Sequence, residues 1–147
     1  MKIRSLRVLM LCLTVFGGAA LAQAQIDSIT RLQADIPFNF TVGDTTLSAG
    51  KYELRRVDDL AENVLELSSV DGRARVIFDA SPAQTKDLRP ANRSELTFDK
   101  YGDQYFLSQI WVAGRSTGEE LVKSRMEKRI AGGGKEAEKH SIIAFLK

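Results

Sequence analysis

Phe98-Asp99-Lys100-Tyr101-Gly102-Asp103-Gln104-Tyr105-Phe106-Leu107-Ser108-Gln109-Ile110-Trp111 reads as two strands joined by a tight turn, and the rest of the chain arranges itself around that hairpin. Leu96 and Phe98 alternate with polar neighbours on the way in. Tyr101-Gly102-Asp103 supplies the turn, where glycine reaches positive φ at no steric cost. The outgoing strand is apolar on both faces, with Phe106, Ile110 and Val112 on one and Tyr105, Leu107 and Trp111 on the other. A half-exposed strand shows one apolar face, so a two-sided one belongs inside a sheet or beneath a covering element.

Upstream, Ile36, Phe38, Phe40 and Val42 alternate with Pro37, Asn39 and Thr41, the period of a half-buried strand over residues 36–42. Pro37 lacks a ladder donor, which points to an edge. Residues 25–34 read as a polar lead-in. Residues 45–47 and 51–57 are extended, the second with Tyr52 and Leu54 facing inward. Asp71-Gly72 between alternating runs is a strong hairpin signal, with Leu65, Leu67, Ala74, Val76, Phe78 and Ala80 inward. Residues 81–93, with Pro82 and Pro90, read as a long loop.

Downstream, Ser124 and Glu127 have capping-box spacing, and Val122, Met126 and Ile130 share a helical face. The spacing predicts a helix of about two turns ending at Gly132-Gly133-Gly134. Residues 132–140 read as a flexible linker before a last strand at residues 141–146. Seven or eight short strands and one late helix argue an antiparallel β-sandwich or a small β-barrel.

The N-terminus reads as an address. Lys2, Arg4 and Arg7 precede an apolar run over residues 8–16, and Ala22-Gln23-Ala24 fits the small-x-small rule, predicting a signal peptide of residues 1–24 cut between Ala24 and Gln25. The run is short of the roughly 20 residues that a spanning helix needs. The expected mature unit is a single domain, residues 25–147, in the periplasm or secreted, with no membrane span. Without the leader, 18 basic residues face 19 acidic ones, a net charge of −1. Net charge therefore gives no reason to propose a nucleic-acid partner. The sole cysteine, Cys12, leaves with the leader, so no disulfide reinforces the core.

Two blocks carry a resemblance: Ile36-Pro37-Phe38-Asn39-Phe40-Thr41-Val42-Gly43 with Leu47-Ser48-Ala49-Gly50-Lys51-Tyr52, and Tyr101 to Trp111. On these the chain resembles a group of small secreted bacterial proteins without an assigned activity. The resemblance implies export and a β-rich fold, and it supplies no catalytic residues.

Chemistry-bearing motifs are sparse. Cysteine catalysis has no cysteine in the mature chain. His140 is the single histidine, and no nucleophile elbow accompanies it; one histidine also falls short of a zinc site. Gly132-Gly133-Gly134-Lys135 lacks the phosphate-loop spacing. The remaining candidates are carboxylates, Asp99 and Asp103 beside the central turn and Asp58, Asp59 and Glu62 in another loop, and an aromatic platform of Tyr101, Tyr105 and Trp111. Tyr101, at the turn, is expected to be the exposed ring, and Trp111 to pack in the core. Lys123, Arg125, Lys128 and Arg129 read as a solvated face balanced by Glu119, Glu120 and Glu127. The leading expectation is a non-enzymatic exported module binding a glycan or protein, without cofactor. A carboxylate-dependent hydrolase or isomerase, and an envelope component pairing through an edge strand at residues 36–42 or 141–146, are the alternatives.

Overall fold

The computed structural model describes residues 31–57, 63–84 and 90–147. Ten strands and one helix follow in order: β1 (Leu32–Ile36), β2 (Phe40–Val42), β3 (Thr45–Leu47), β4 (Gly50–Arg56), β5 (Val64–Ser69), β6 (Arg75–Gln84), β7 (Glu95–Tyr101), β8 (Gln104–Trp111), β9 (Thr117–Leu121), α1 (Arg125–Gly132) and β10 (Glu138–Leu146). The hydrogen-bonded order β8-β7-β10-β1-β4-β5-β6-β9 returns to β8. Eight antiparallel strands thus close a barrel, which decides between sandwich and barrel. Its interior is just wide enough to be filled by side chains. Leu32, Ile36, Leu54, Leu65, Leu67, Leu96, Phe98 and Ile110 fill it.

The run at residues 36–42 is not one strand. Ile36 ends β1, the chain crosses the base of the barrel through Pro37–Asn39, and Phe40 begins β2. Pro37 cannot donate to a ladder, and Asn39 Oδ1 accepts from the Ala49 amide at 3.0 Å, which holds the bend. The apolar positions still leave water, because half-buried Phe38 and buried Phe40 plug the base, although Thr41 is buried in β2 as well. Phe38 meets Phe98 edge-on at 5.2 Å, stacks on Tyr105 at 3.9 Å and meets His140 at 5.3 Å. Phe40 lies 5.2 Å from Tyr52 and 5.5 Å from Phe98.

Edge pairing loses part of the strand length expected to offer it: β2 lies between β3 and β8, and each part of β10 already has a partner on one side. β1 lies between β4 and β10, and β10 pairs with β7 through Glu138–Ile143 and with β1 through Ala144–Leu146. Part of the supposed lead-in, Leu32 and Ala34, is core. The expected loop at residues 81–93 is shortened at its start, since β6 runs on through Pro82 to pair with β9. The linker shrinks likewise, since Gly132 closes α1 and Glu138 opens β10.

The central hairpin forms with Gly102 at φ +64°, but its faces differ from simple alternation. Thr97 pairs with Gln109 and Phe98 with Leu107, leaving Ser108 as an extra residue. This β-bulge re-aims the strand. Tyr105 and Leu107 join Ile110 and Val112 on the inner face, and Phe106, beside Asp99, turns outward.

Candidate functional site

Two features have the chemistry of a site: a charged cluster on the outer wall beneath α1, and an open cleft at the barrel base.

Phe98 points into the barrel, so Asp99 and Tyr101 point out, yet both are buried. The register sets Lys139 of β10 directly beside Asp99. Their charges meet at 2.5 Å. Asp99 Oδ1 has no hydrogen bond of ordinary angle, but at that separation the ion contact holds whatever the angle. Ser108, turned out by the bulge, donates to the Thr97 carbonyl at 3.1 Å and receives Lys139 Nζ at 3.4 Å. From above, Lys123 Nζ lies 3.4 Å from both Asp99 and Glu127 and donates to the Tyr101 hydroxyl at 2.9 Å. Tyr101 in turn donates to Glu127 Oε1 at 3.4 Å.

The two acids, each with its side chain 4% exposed, titrate in opposite directions. Burial disfavours charge on Asp99, but Lys139, Ser108 and Lys123 together outweigh it and hold the carboxyl below its ordinary 3.8. Burial pushes Glu127 above its ordinary 4.5, and the charge of Asp99 adds to that against the pull of Lys123. Opposed shifts are what an acid–base pair needs, yet here both groups are shut in and tied to lysines. The arrangement fits a clamp that docks α1.

Linkage predicts its pH response. The Asp99 contribution is present above pH 3.8 and lost as pH falls through its lowered value. The Glu127 contribution is complete below pH 4.5 and lost as pH rises through its raised value. Glu127→Gln, which keeps the neutral shape, is therefore expected to gain on the wild type as pH rises from 4.5 to neutrality. Paired melting curves across that range test this; curves that stay parallel would remove the titration.

At the base, the β3–β4 turn and the β5–β6 turn stand opposite each other because Tyr52 pairs with Ser69. Between them lies a cleft of about 530 Å³ lined by Leu47, Ser48, Lys51, Tyr52, Asp71 and Arg73, among others. Volumes of this order suit a small ligand. Tyr52 donates to the Ser48 carbonyl at 2.7 Å. Burial, then the charge of Asp71, pushes its phenol up. Asp71 is held below its usual range by Ser69 and by the Arg73 amide, which donates to Oδ1 at 3.1 Å. The cleft thus offers two cations, one fixed carboxylate and an apolar floor.

Of the residues expected from the sequence, only Asp99 and Tyr101 come together. Tyr101 is buried rather than exposed, because α1 covers it. Tyr105 is half-buried on the inner face against Phe38. Trp111 is half-buried on the outer wall beside Gly118, outside the core. Asp103 is exposed in the turn. The three aromatic rings therefore form no common platform. Asp58, Asp59 and Glu62 lie outside the described residues. His140 is exposed on β10. Among the described residues, no three His, Cys, Asp or Glu side chains gather in metal-binding geometry. The sequence marks the Asp71-Gly72 turn and the extended stretches on either side of residues 48–50, but not the apposition of the two turns, which depends on the β4–β5 register. Comparison with protein-family models, with curated proteins and with solved structures finds no match to this chain.

Proposed function

We propose that this chain is an exported, non-enzymatic β-barrel module that binds a small polar ligand at its base, between the β3–β4 and β5–β6 turns. The observation that carries the reading is the cleft itself, open to solvent and lined by Lys51, Tyr52, Asp71 and Arg73. Export is supported by the basic, apolar and Ala-x-Ala segments at the N-terminus, with cleavage between Ala24 and Gln25, and delivers the barrel to the periplasm or the medium.

Thermal unfolding of residues 25–147 against glycans, peptidoglycan fragments and divalent ions tests the proposal. A ligand at about 100 times its Kd adds roughly 2.7 kcal/mol, a rise of several degrees. Arg73→Ala alters an exposed cleft residue and is expected to reduce that rise without lowering the melting point of the free protein. A flat panel, or a rise that Arg73→Ala leaves intact, would remove the cleft from consideration.

The hydrolase reading draws on one piece of geometry, two buried carboxylates, Asp99 and Glu127, each 3.4 Å from Lys123 Nζ. It requires Glu127→Gln to abolish turnover on a glycoside or ester panel; as a clamp, the same variant stays folded and changes only the pH response.

A further inference from the structure

The helix α1 is docked the wrong way round for an amphipathic helix. Such helices bury their apolar stripe, yet the residue that α1 buries is Glu127. Val122 just before it is 69% exposed and Met126 is 40% exposed. The cap explains part of this: the Ser124 hydroxyl accepts from the Glu127 amide at 3.1 Å, and the Glu127 carboxyl goes down to Tyr101 and Lys123 rather than back to the cap. Stepping about 100° per residue from Glu127, Met126 and Ile130 fall on one flank, and Arg125 and Arg129 on the side turned away from the barrel.

The acids expected to neutralise this face are elsewhere. Glu119 points into the barrel and pairs with Arg56 at 3.1 Å, and Glu127 is in the clamp. Glu120 alone of the three stays exposed, on β9. Between residues 122 and 135 five cations accompany one acid, the buried Glu127. Arg125, Lys128 and Arg129 are exposed, and among the described residues none makes an ion pair.

We propose that α1 is a docking element for the surface of an anionic lipid bilayer. Exposed aliphatic side chains next to a row of long cationic ones match an interface that is apolar beneath and negatively charged above. The cationic stems can lie along the apolar zone while their heads reach lipid phosphates. A short convex helix offers no groove for a peptide, and aliphatic side chains without a pocket suit acyl chains. No helix among the described residues is long and apolar enough to cross a membrane; the contact proposed is one of the outer face of α1 with the bilayer surface.

All strands of the barrel lie between Leu32 and Leu146, so the chain from Gln25 keeps the whole fold and lacks the apolar leader, which would bind lipid itself. Flotation of this chain with vesicles of phosphatidylcholine, with and without phosphatidylglycerol, is the test. Binding is expected with phosphatidylglycerol only, and is expected to fall with salt. Each cation removed from α1 is expected to weaken binding about fivefold, so Arg125→Gln/Lys128→Gln/Arg129→Gln should lose about a hundredfold. Val122→Ser/Met126→Ser should also weaken it, with an unchanged melting point because both side chains are exposed. Equal binding to neutral vesicles, no binding to anionic ones, or binding that survives both variants would overturn the proposal. So would a dimer in sedimentation velocity that Val122→Ser/Met126→Ser dissolves, since the face would then belong to a second copy.

Discussion

Phe98→Ala is expected to cost about 3–5 kcal/mol, the range for emptying a large aromatic site in a packed core. Phe98 is 0% exposed, and it is where the base plug meets the barrel wall. Its ring holds Phe38 at 5.2 Å and Phe40 at 5.5 Å, so its loss frees the crossing segment between β1 and β2 as well as leaving a void. Domains of this size are stable by only about 5–15 kcal/mol, and without cysteine after Gln25 no cross-link limits the damage. Urea unfolding should show a much lower midpoint, and Phe98→Leu should recover part of the loss by refilling volume. A cost below about 1 kcal/mol would mean that the aromatic plug does not hold the base closed.

Gly118→Ala is expected to destabilise by about 1–3 kcal/mol, the usual range for forcing atoms into a packed site. A Cβ there would sit 2.6 Å from Trp111 Cε3 and 2.7 Å from the Ile110 carbonyl oxygen. One of these neighbours is an indole that can move, but the other is β8 backbone. Gly118 lies next to the contact that closes the barrel, where β9 meets β8 through Gln109↔Glu120 and Ile110↔Glu119. Trp111→Ala should relieve the indole clash and not the carbonyl one, so a double-mutant cycle should show partial rescue. Full rescue would assign the effect to the ring alone; no effect in the single variant would mean that β9 shifts freely, and that this seam contributes little.

Local chemistry was legible in particular residues. Asp71-Gly72 and Gly102 mark their turns because few other residues accept those backbone angles, and Ser124 caps α1 because a hydroxyl three residues before an amide can reach it. The inward faces of β4 and β5 followed from period-2 alternation, since Tyr52, Leu54, Leu65 and Leu67 have no other way to leave water together. Where the strand at residues 36–42 broke, Ile36, Phe40 and Val42 were still buried, but Phe38 is only half-buried and polar Thr41 is buried with them. The candidate site was far less legible. Asp99 is legible only as a carboxylate beside a turn, Tyr101 reads as exposed where α1 buries it, and nothing local marks the cleft at Tyr52.

The sequence by itself determined a mainly β fold, its turns, most of its core residues and its late helix, because each depends on contacts or alternation within a few residues. Only the tertiary structure decided that the sheet closes as a barrel, that Ser108 bulges and reverses the faces of β8, and that α1 docks through Glu127 with its apolar side chains outward. Each of those choices is made between residues far apart in the chain: β8 with β9, Asp99 with Lys139, and Tyr101 with Glu127. Alternation states how many side chains must leave water, but register states which of them meet, and register is settled by packing across the whole barrel.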